Sequence, residues 1–188
     1  MATRVGVNLL WCVPGKVGGS EEYLTRQLLG LHELAAAGDA FAGDLRLVAY
    51  ALPGYAEAHP DVADAVEVVT APVNGSSRAA RIAAEHSWLA GRTRHDDLVH
   101  HGGGTVPAVG KRPVVLTVHD LQYLAYPQYF TATKLAYLRR QMPRSVRRAE
   151  VVTVPSEYVR QTVVDSFGVE ELEEGGIVVR LQKAARGR

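Results

Sequence analysis

The residues best suited to chemistry are His119-Asp120, which follow the apolar run 114–118, and His100-His101, which run into Gly102-Gly103-Gly104. An imidazole at a strand end can donate to a hydroxyl or carbonyl, and its proton equilibrium is easily tuned near neutrality. Asp120 can orient that ring or bind a sugar hydroxyl; it can equally close the strand with local hydrogen bonds. His100, His101, His119 and Asp120 are also metal-ligand types, but their spacing matches no closed zinc pattern. A third polar stretch holds Pro14, Gly15, Gly18 and Gly19, between the apolar run 5–13 and the helical stripe Leu24, Leu28, Leu31 and Ala35. The start of a helix offers unpaired N–H groups and a partial positive charge, and glycines there let phosphates reach the backbone. The loop is neither GxGxxG nor GxxxxGK[ST], so the dinucleotide and P-loop fingerprints are absent. Glu21 and Glu22 suit the helix dipole but repel a phosphate that comes too close. Ser20 is the expected N-cap. The alternative is a tight turn that caps a helix and binds nothing.

Tyr123, Tyr126, Tyr129 and Phe130 are dense for a chain that is 7% aromatic. Aromatic faces pack on the C–H faces of sugars, and phenol hydroxyls fix orientation; half-buried packing of a long loop is the other reading. Arg140, Arg144, Arg147 and Arg148 cluster on one side of the next helix. Such a face suits an anionic acceptor or a membrane surface, or is simply solvated.

The elements that must position these residues are short apolar runs alternating with amphipathic helices. Strands are expected at 5–13, 45–52, 66–69, 97–100, 114–118 and 151–154, with a further one starting at 177–179. Helices are expected after the glycine loop, after Pro60, at 78–89 and at 131–149. The last of these has Leu135, Leu138, Met142, Val146 and Ala149 inward, and Pro143 should kink it. A further helix is capped by Ser156, carries Val159, Val163 and Phe167, and stops at Gly168. Residues 38–43 and 72–77 read as turns. Continuous apolar strands alternating with helices predict a Rossmann-like, doubly wound α/β fold, with a mainly parallel sheet covered on both faces. Ligands of such sheets gather outside the carboxyl ends of the strands. The three polar loops all follow strands in this way.

The whole chain sets bounds. Its 188 residues fit one domain: residues 1–180, with 181–188 as a basic, disordered tail. With 21 Lys and Arg against 20 Asp and Glu, nothing draws the chain to nucleic acid. The single cysteine, Cys12, cannot form an internal disulfide. That suits a reducing, cytoplasmic setting, with buried packing as its role. No run of apolar residues is long enough to span a membrane.

In order, these features are Gly18-Gly19-Ser20-Glu21, Leu98-Val99-His100, His119-Asp120-Leu121, Pro127 to Phe130, the long basic helix, the Val151-Val152-Thr153-Val154-Pro155-Ser156-Glu157 run and Phe167-Gly168-Val169. Together they resemble the amino-terminal domain of retaining GT4-type glycosyltransferases of the GT-B fold, over residues 5–179. The resemblance implies a domain that chiefly binds the acceptor and faces a second Rossmann-like domain that binds the nucleotide-sugar donor. It implies that Gly18 and Gly19 approach the donor phosphates and that His119 touches the transferred sugar near the reacting carbon. It further implies that Asp120, His100 and Tyr123 shape the substrate side. No metal and no cofactor are implied.

A member of that family continues past residue 179 into a second sheet, whereas here LQKAARGR follows. The expectation is an isolated or truncated domain, or one half of a two-chain enzyme, with little activity alone. The leaving diphosphate needs fixed positive charge in a water-poor cleft. Its expected partners are a nucleotide-sugar donor, an unknown acceptor and a separate donor-domain chain, with peripheral membrane contact through the arginine face. Two other readings stay open: a non-catalytic module that holds a sugar or nucleotide or docks a separate donor-domain chain, and a metal-dependent hydrolase using His100, His101, His119 and Asp120.

Overall fold

The computed structural model describes residues 2–110, 113–169 and 178–180. It shows a Rossmann-like α/β fold, arranged as two compact units. The first comprises the described residues up to Gly103 with those of Pro107–Pro113; the second comprises Gly104–Val106 and the described residues from Val114 onward. The expected basic tail, 181–188, lies outside the described residues.

The first unit is built on strands β1 (Thr3–Leu9), β2 (Leu45–Ala51), β3 (Glu67–Thr70) and β4 (Leu98–His101). They lie side by side in the order β3-β2-β1-β4, and every pairing is parallel. Parallel neighbours need crossovers, and helices supply them. Helix α1 (Gly19–Ala36) follows β1, and the short helices α2 (Ala40–Gly43), α3 (Tyr55–Ala58) and α4 (Pro60–Ala65) flank β2. Helix α5 (Arg78–Ala84) continues into a π-helical turn at Glu85–Leu89, then α6 (Ala90–Arg92). Two apolar clusters hold this unit. One gathers Val7, Leu9, Leu24, Leu28, Ala49 and Tyr55; the other gathers Leu10, Val48, Tyr50 and Leu89.

In the second unit, β5 (Val114–Thr117) pairs parallel with β6 (Val151–Thr153), and β7 (Val178–Arg180) adds to β6 antiparallel. Helices α7 (Gln122–Ala125), α8 (Ala132–Arg148) and α9 (Glu157–Phe167) surround them. Met142, Val146 and Ala149 are buried with Leu116, Val118, Val152, Val159 and Val163, while Leu135 and Leu138 pack at the margin. Helix α8 runs through Pro143 as one element. Ser156 caps α9 by accepting from the Val159 N–H at 3.3 Å, and Gly168 ends it in the left-handed region.

Several expectations shift. The first strand stops at Leu9, not at residue 13, because the Asn8 side chain accepts the Leu10 N–H at 3.1 Å and turns the chain. Gly18, at φ 69°, is the N-cap of α1, which places Ser20 inside the first turn. Residues 38–43 hold a short helix because Asp39 accepts from the Ala42 N–H at 2.8 Å. Among the described residues no helix is long and apolar enough to cross a membrane.

At the amino edge of the first unit, Asp96 is fully buried and accepts from Arg4 Nε at 2.8 Å and from the Tyr50 hydroxyl at 3.0 Å. A buried carboxylate stripped of a donor bears its own desolvation cost. Tyr50→Phe should therefore cost about 1–3 kcal/mol in urea unfolding; an unchanged midpoint would show that this bond contributes nothing.

Candidate functional site

Strands β1 and β4 are parallel neighbours, with Asn8 opposite His101, so both chains leave the sheet on one rim. Residues 10–18 leave β1 there, and Gly102-Gly103 leave β4. The two exits pack closely: a Cβ on Gly102 would come within 2.9 Å of Leu24 on α1, and one on Gly103 would collide with the Trp11 ring. The Trp11 indole N–H donates to the Asn8 carbonyl at 3.0 Å.

Asn8 is 1% exposed. Besides taking the Leu10 N–H, its side-chain Nδ2 lies 2.9 Å from Glu85 Oε1 and 3.1 Å from His101 Nδ1. Glu85 comes from the π-helical turn, a feature that recurs at functional sites. Arg81, on α5, donates through Nη1 to the Trp11 carbonyl at 2.9 Å, while its Nε is buried with no hydrogen-bond partner among the described residues.

The glycine loop folds back on its own helix. Both Glu21 oxygens accept the Gly15 N–H, at 3.0 and 3.2 Å, and Glu21 Oε1 lies 2.8 Å from His59 Nε2. Glu21 is thus buried and engaged, while Glu22 pairs outward with Arg26 at 2.6 Å. Only one of the two carboxylates is left to repel an anion at the helix start. Gly18 has no side-chain cap; its carbonyl accepts the Glu21 and Glu22 N–H groups at 3.0 and 3.3 Å, so among the described residues the open N–H groups at the start of α1 are those of Gly19 and Ser20. Cys12 lies beneath this loop; burial, then the Glu21 charge, push its thiol up to about 12. It is buried with Val7, Leu9 and Leu24.

Of the residues singled out by sequence, Gly18, Gly19 and His100 belong to this rim of the first unit. His100 is part-buried and His101 fully so, as consecutive strand residues that face opposite sides of the sheet. His119, Asp120 and Tyr123 belong to the second unit. His119 is part-exposed after β5. Exposed Asp120 accepts the Gln122 N–H at 3.0 Å and so starts α7. Tyr123 is buried in the core of that unit. Tyr126 and Tyr129 point outward with rings stacked at 6.0 Å, and Lys134 Nζ sits 4.8 Å over the Phe130 ring. Arg140, Arg144 and Arg147 are exposed on α8. Among the described residues no group of three or more His, Cys, Asp or Glu is placed to hold a metal ion.

A family model described as Glycosyltransferase Family 4 matches residues 17–173, most of the chain. The chain belongs to glycosyltransferase family 4. No curated protein matches it. The matched span opens at the glycine loop, takes in both histidine stretches and the tyrosine loop, and closes after α9.

Sequence reasoning placed Glu21 at the glycine loop but not its inward turn, and it missed Glu85, Arg81 and His59 as parts of this rim. Asn8 left a signal, as the one polar residue in an apolar run. Glu85 left none, because a π turn has no sequence signature that a helical repeat does not share.

Burial holds the Glu85 carboxyl above its ordinary range, against the opposing pull of the Asn8 amide and the His86, Arg81 and Arg78 charges. A carboxyl raised in the folded state adds stability that is full below its unfolded value of 4.5 and fades as pH rises through the folded one. Glu85→Gln keeps an acceptor for Asn8 and cannot ionise. The difference in melting temperature, variant minus wild type, should grow from pH 4.5 toward neutrality; a flat or falling difference would contradict the assignment.

Proposed function

We propose that this chain is the acceptor-side domain of a retaining glycosyltransferase that moves a sugar from a nucleotide-sugar donor to an acceptor. The family match over residues 17–173 carries this reading. The chemistry needs three things: a place for the diphosphate, a donor near the transferred sugar and a surface for the acceptor.

The start of α1 supplies the first. Its unpaired N–H groups and the positive end of the helix dipole favour an anion. Glu21 is drawn away by Gly15 and His59. A Cβ at Gly19 would meet nothing within 4 Å, and Gly19 has no positive φ. Neither space nor backbone geometry within the protein requires a glycine there; a ligand lying against the backbone would. His119 supplies the second, as a hydrogen-bond donor to the sugar, with Asp120 and His100 as further polar contacts to substrate. The outward Tyr126 and Tyr129 rings, with the arginines of α8, offer an aromatic and cationic surface for the acceptor, or for the anionic membrane that carries it. Tyr123 supports that loop from within the core.

Gly19 allows a test that separates binding from folding. A panel of nucleotide sugars is titrated against the chain by calorimetry. At least one should bind saturably. Gly19→Ala should weaken that binding about fivefold or more, roughly the 1 kcal/mol of a Cβ forced against a bound ligand, while melting no lower than wild type, since alanine suits a first helical turn. No binding by any nucleotide sugar, or equal binding by Gly19→Ala, would sink the glycine loop's part in holding the donor.

A further inference from the structure

The buried cluster of Asn8, Glu85 and His101 has a polarity that can be read from its hydrogen bonds. The Leu10 N–H, 3.1 Å from Asn8 Oδ1, needs an acceptor, and this fixes which end of the carboxamide is oxygen. Nδ2 then carries both amide protons. One points to Glu85 Oε1 at 2.9 Å and the other to His101 Nδ1 at 3.1 Å. A nitrogen that receives a proton cannot also present one. His101 Nδ1 must therefore be the lone-pair nitrogen, and its ring proton lies on Nε2. Asn8, Glu85 and His101 are 1%, 8% and 5% exposed. Bulk water therefore cannot readily replace any of these partners, and an unpaired member would bear the cost of burial alone.

We propose that Asn8, braced by Glu85, is a positioning residue that holds His101, at the carboxyl edge of the first unit's sheet, as a neutral imidazole with its hydrogen on Nε2. The ring offers no lone pair at Nε2, so it neither abstracts a proton nor ligates a metal through that atom while the network stands. Charging the ring would put a proton on Nδ1, against the Asn8 amide. The charged and titratable groups around Glu85 are His86, Arg81 and Arg78; the first of these is engaged elsewhere, with Nδ1 2.8 Å from the Ile82 carbonyl and Nε2 3.1 Å from the Ala108 N–H. The proton's location does not rest on the transferase reading.

The experiment is side-chain ¹⁵N NMR of the histidines at neutral pH, with the His101 signals assigned by their loss in His101→Gln. In the wild-type chain His101 should show a pyridine-type Nδ1 and a pyrrole-type Nε2, with a single tautomer populated. The reverse pattern, or an averaged mixture, overturns the proposal. Two variants test the role of Asn8. Asn8→Asp combined with Glu85→Gln keeps the shape and reverses the polarity: the new carboxylate on β1 would accept from the new amide on the π turn and from His101, moving the ring proton to Nδ1. Asn8→Ala removes the amide and should leave both tautomers populated. Retention of the wild-type pattern in either variant overturns the positioning role. Should neither variant fold, the wild-type spectrum still decides where the proton sits. Absence of nucleotide-sugar binding would fault the glycine loop's part in the transferase reading and leave this spectrum unchanged.

Discussion

A carboxamide taken out of water must find partners for its oxygen and both its amide hydrogens, or bear a cost of several kcal/mol. Asn8 finds them in the Leu10 N–H, Glu85 and His101. Each partner comes from a different part of the first unit: the turn after β1, the π turn after α5 and the end of β4. The demand of one buried side chain therefore stops the first strand, fixes how far the helical crossover reaches inward, and sets the orientation of a histidine. The Asn8 carbonyl adds a fourth tie, to the Trp11 ring, whose face leaves room for nothing larger than glycine at residue 103. The rim's shape follows from that set of bonds.

The glycine loop meets a related constraint. A helix start that is to receive an anion should not carry ionised side chains over its open N–H groups, yet acidic residues are favoured in a first turn. The structure meets both demands by turning Glu21 under the loop, where Gly15 and His59 occupy its oxygens. Its charge still serves the helix while its oxygens face away from the opening. Gly18 supplies the positive φ that begins the helix without a side-chain cap. The second unit repeats the strand-end logic more simply. His119 and Asp120 follow β5, and Asp120 Oδ1 accepts the Gln122 N–H ahead of α7.

Much of the fold was legible because it rests on periodicity. Met142, Val146 and Ala149 on α8, and Val159 and Val163 on α9, recur at helical spacing and are buried where that spacing puts them. Ser156 and Gly168 mark the ends of α9 by local chemistry that a sequence shows directly. Strand ends were less legible, because a side chain rather than hydrophobicity ends β1: residues 10–13 are apolar, and the Asn8 turn still takes them out of the sheet. Ser20 reads as a cap only if the backbone at Gly18 is unknown. The helix expected over 78–89 is α-helical only to Ala84, and the π turn that follows is what delivers Glu85 to Asn8. For the site, the residue types and their strand-end positions were readable from spacing. The partners that tune them were not, since Glu21 to His59 and Asn8 to Glu85 are contacts between distant segments with no shared pattern.

The central claim is that ligand meets the first unit at the carboxyl edge of its strands. A groove of about 280 Å³ at the opposite, amino edge, lined by Leu31, Ala35, Leu45 and Val66 among others, is the natural competitor. Amide hydrogen exchange with and without a saturating nucleotide sugar separates the two. Binding at the carboxyl edge slows exchange in residues 14–22 and 100–104 and leaves 31–35, 45–47 and 65–67 unchanged. Protection confined to the amino-edge groove would contradict it.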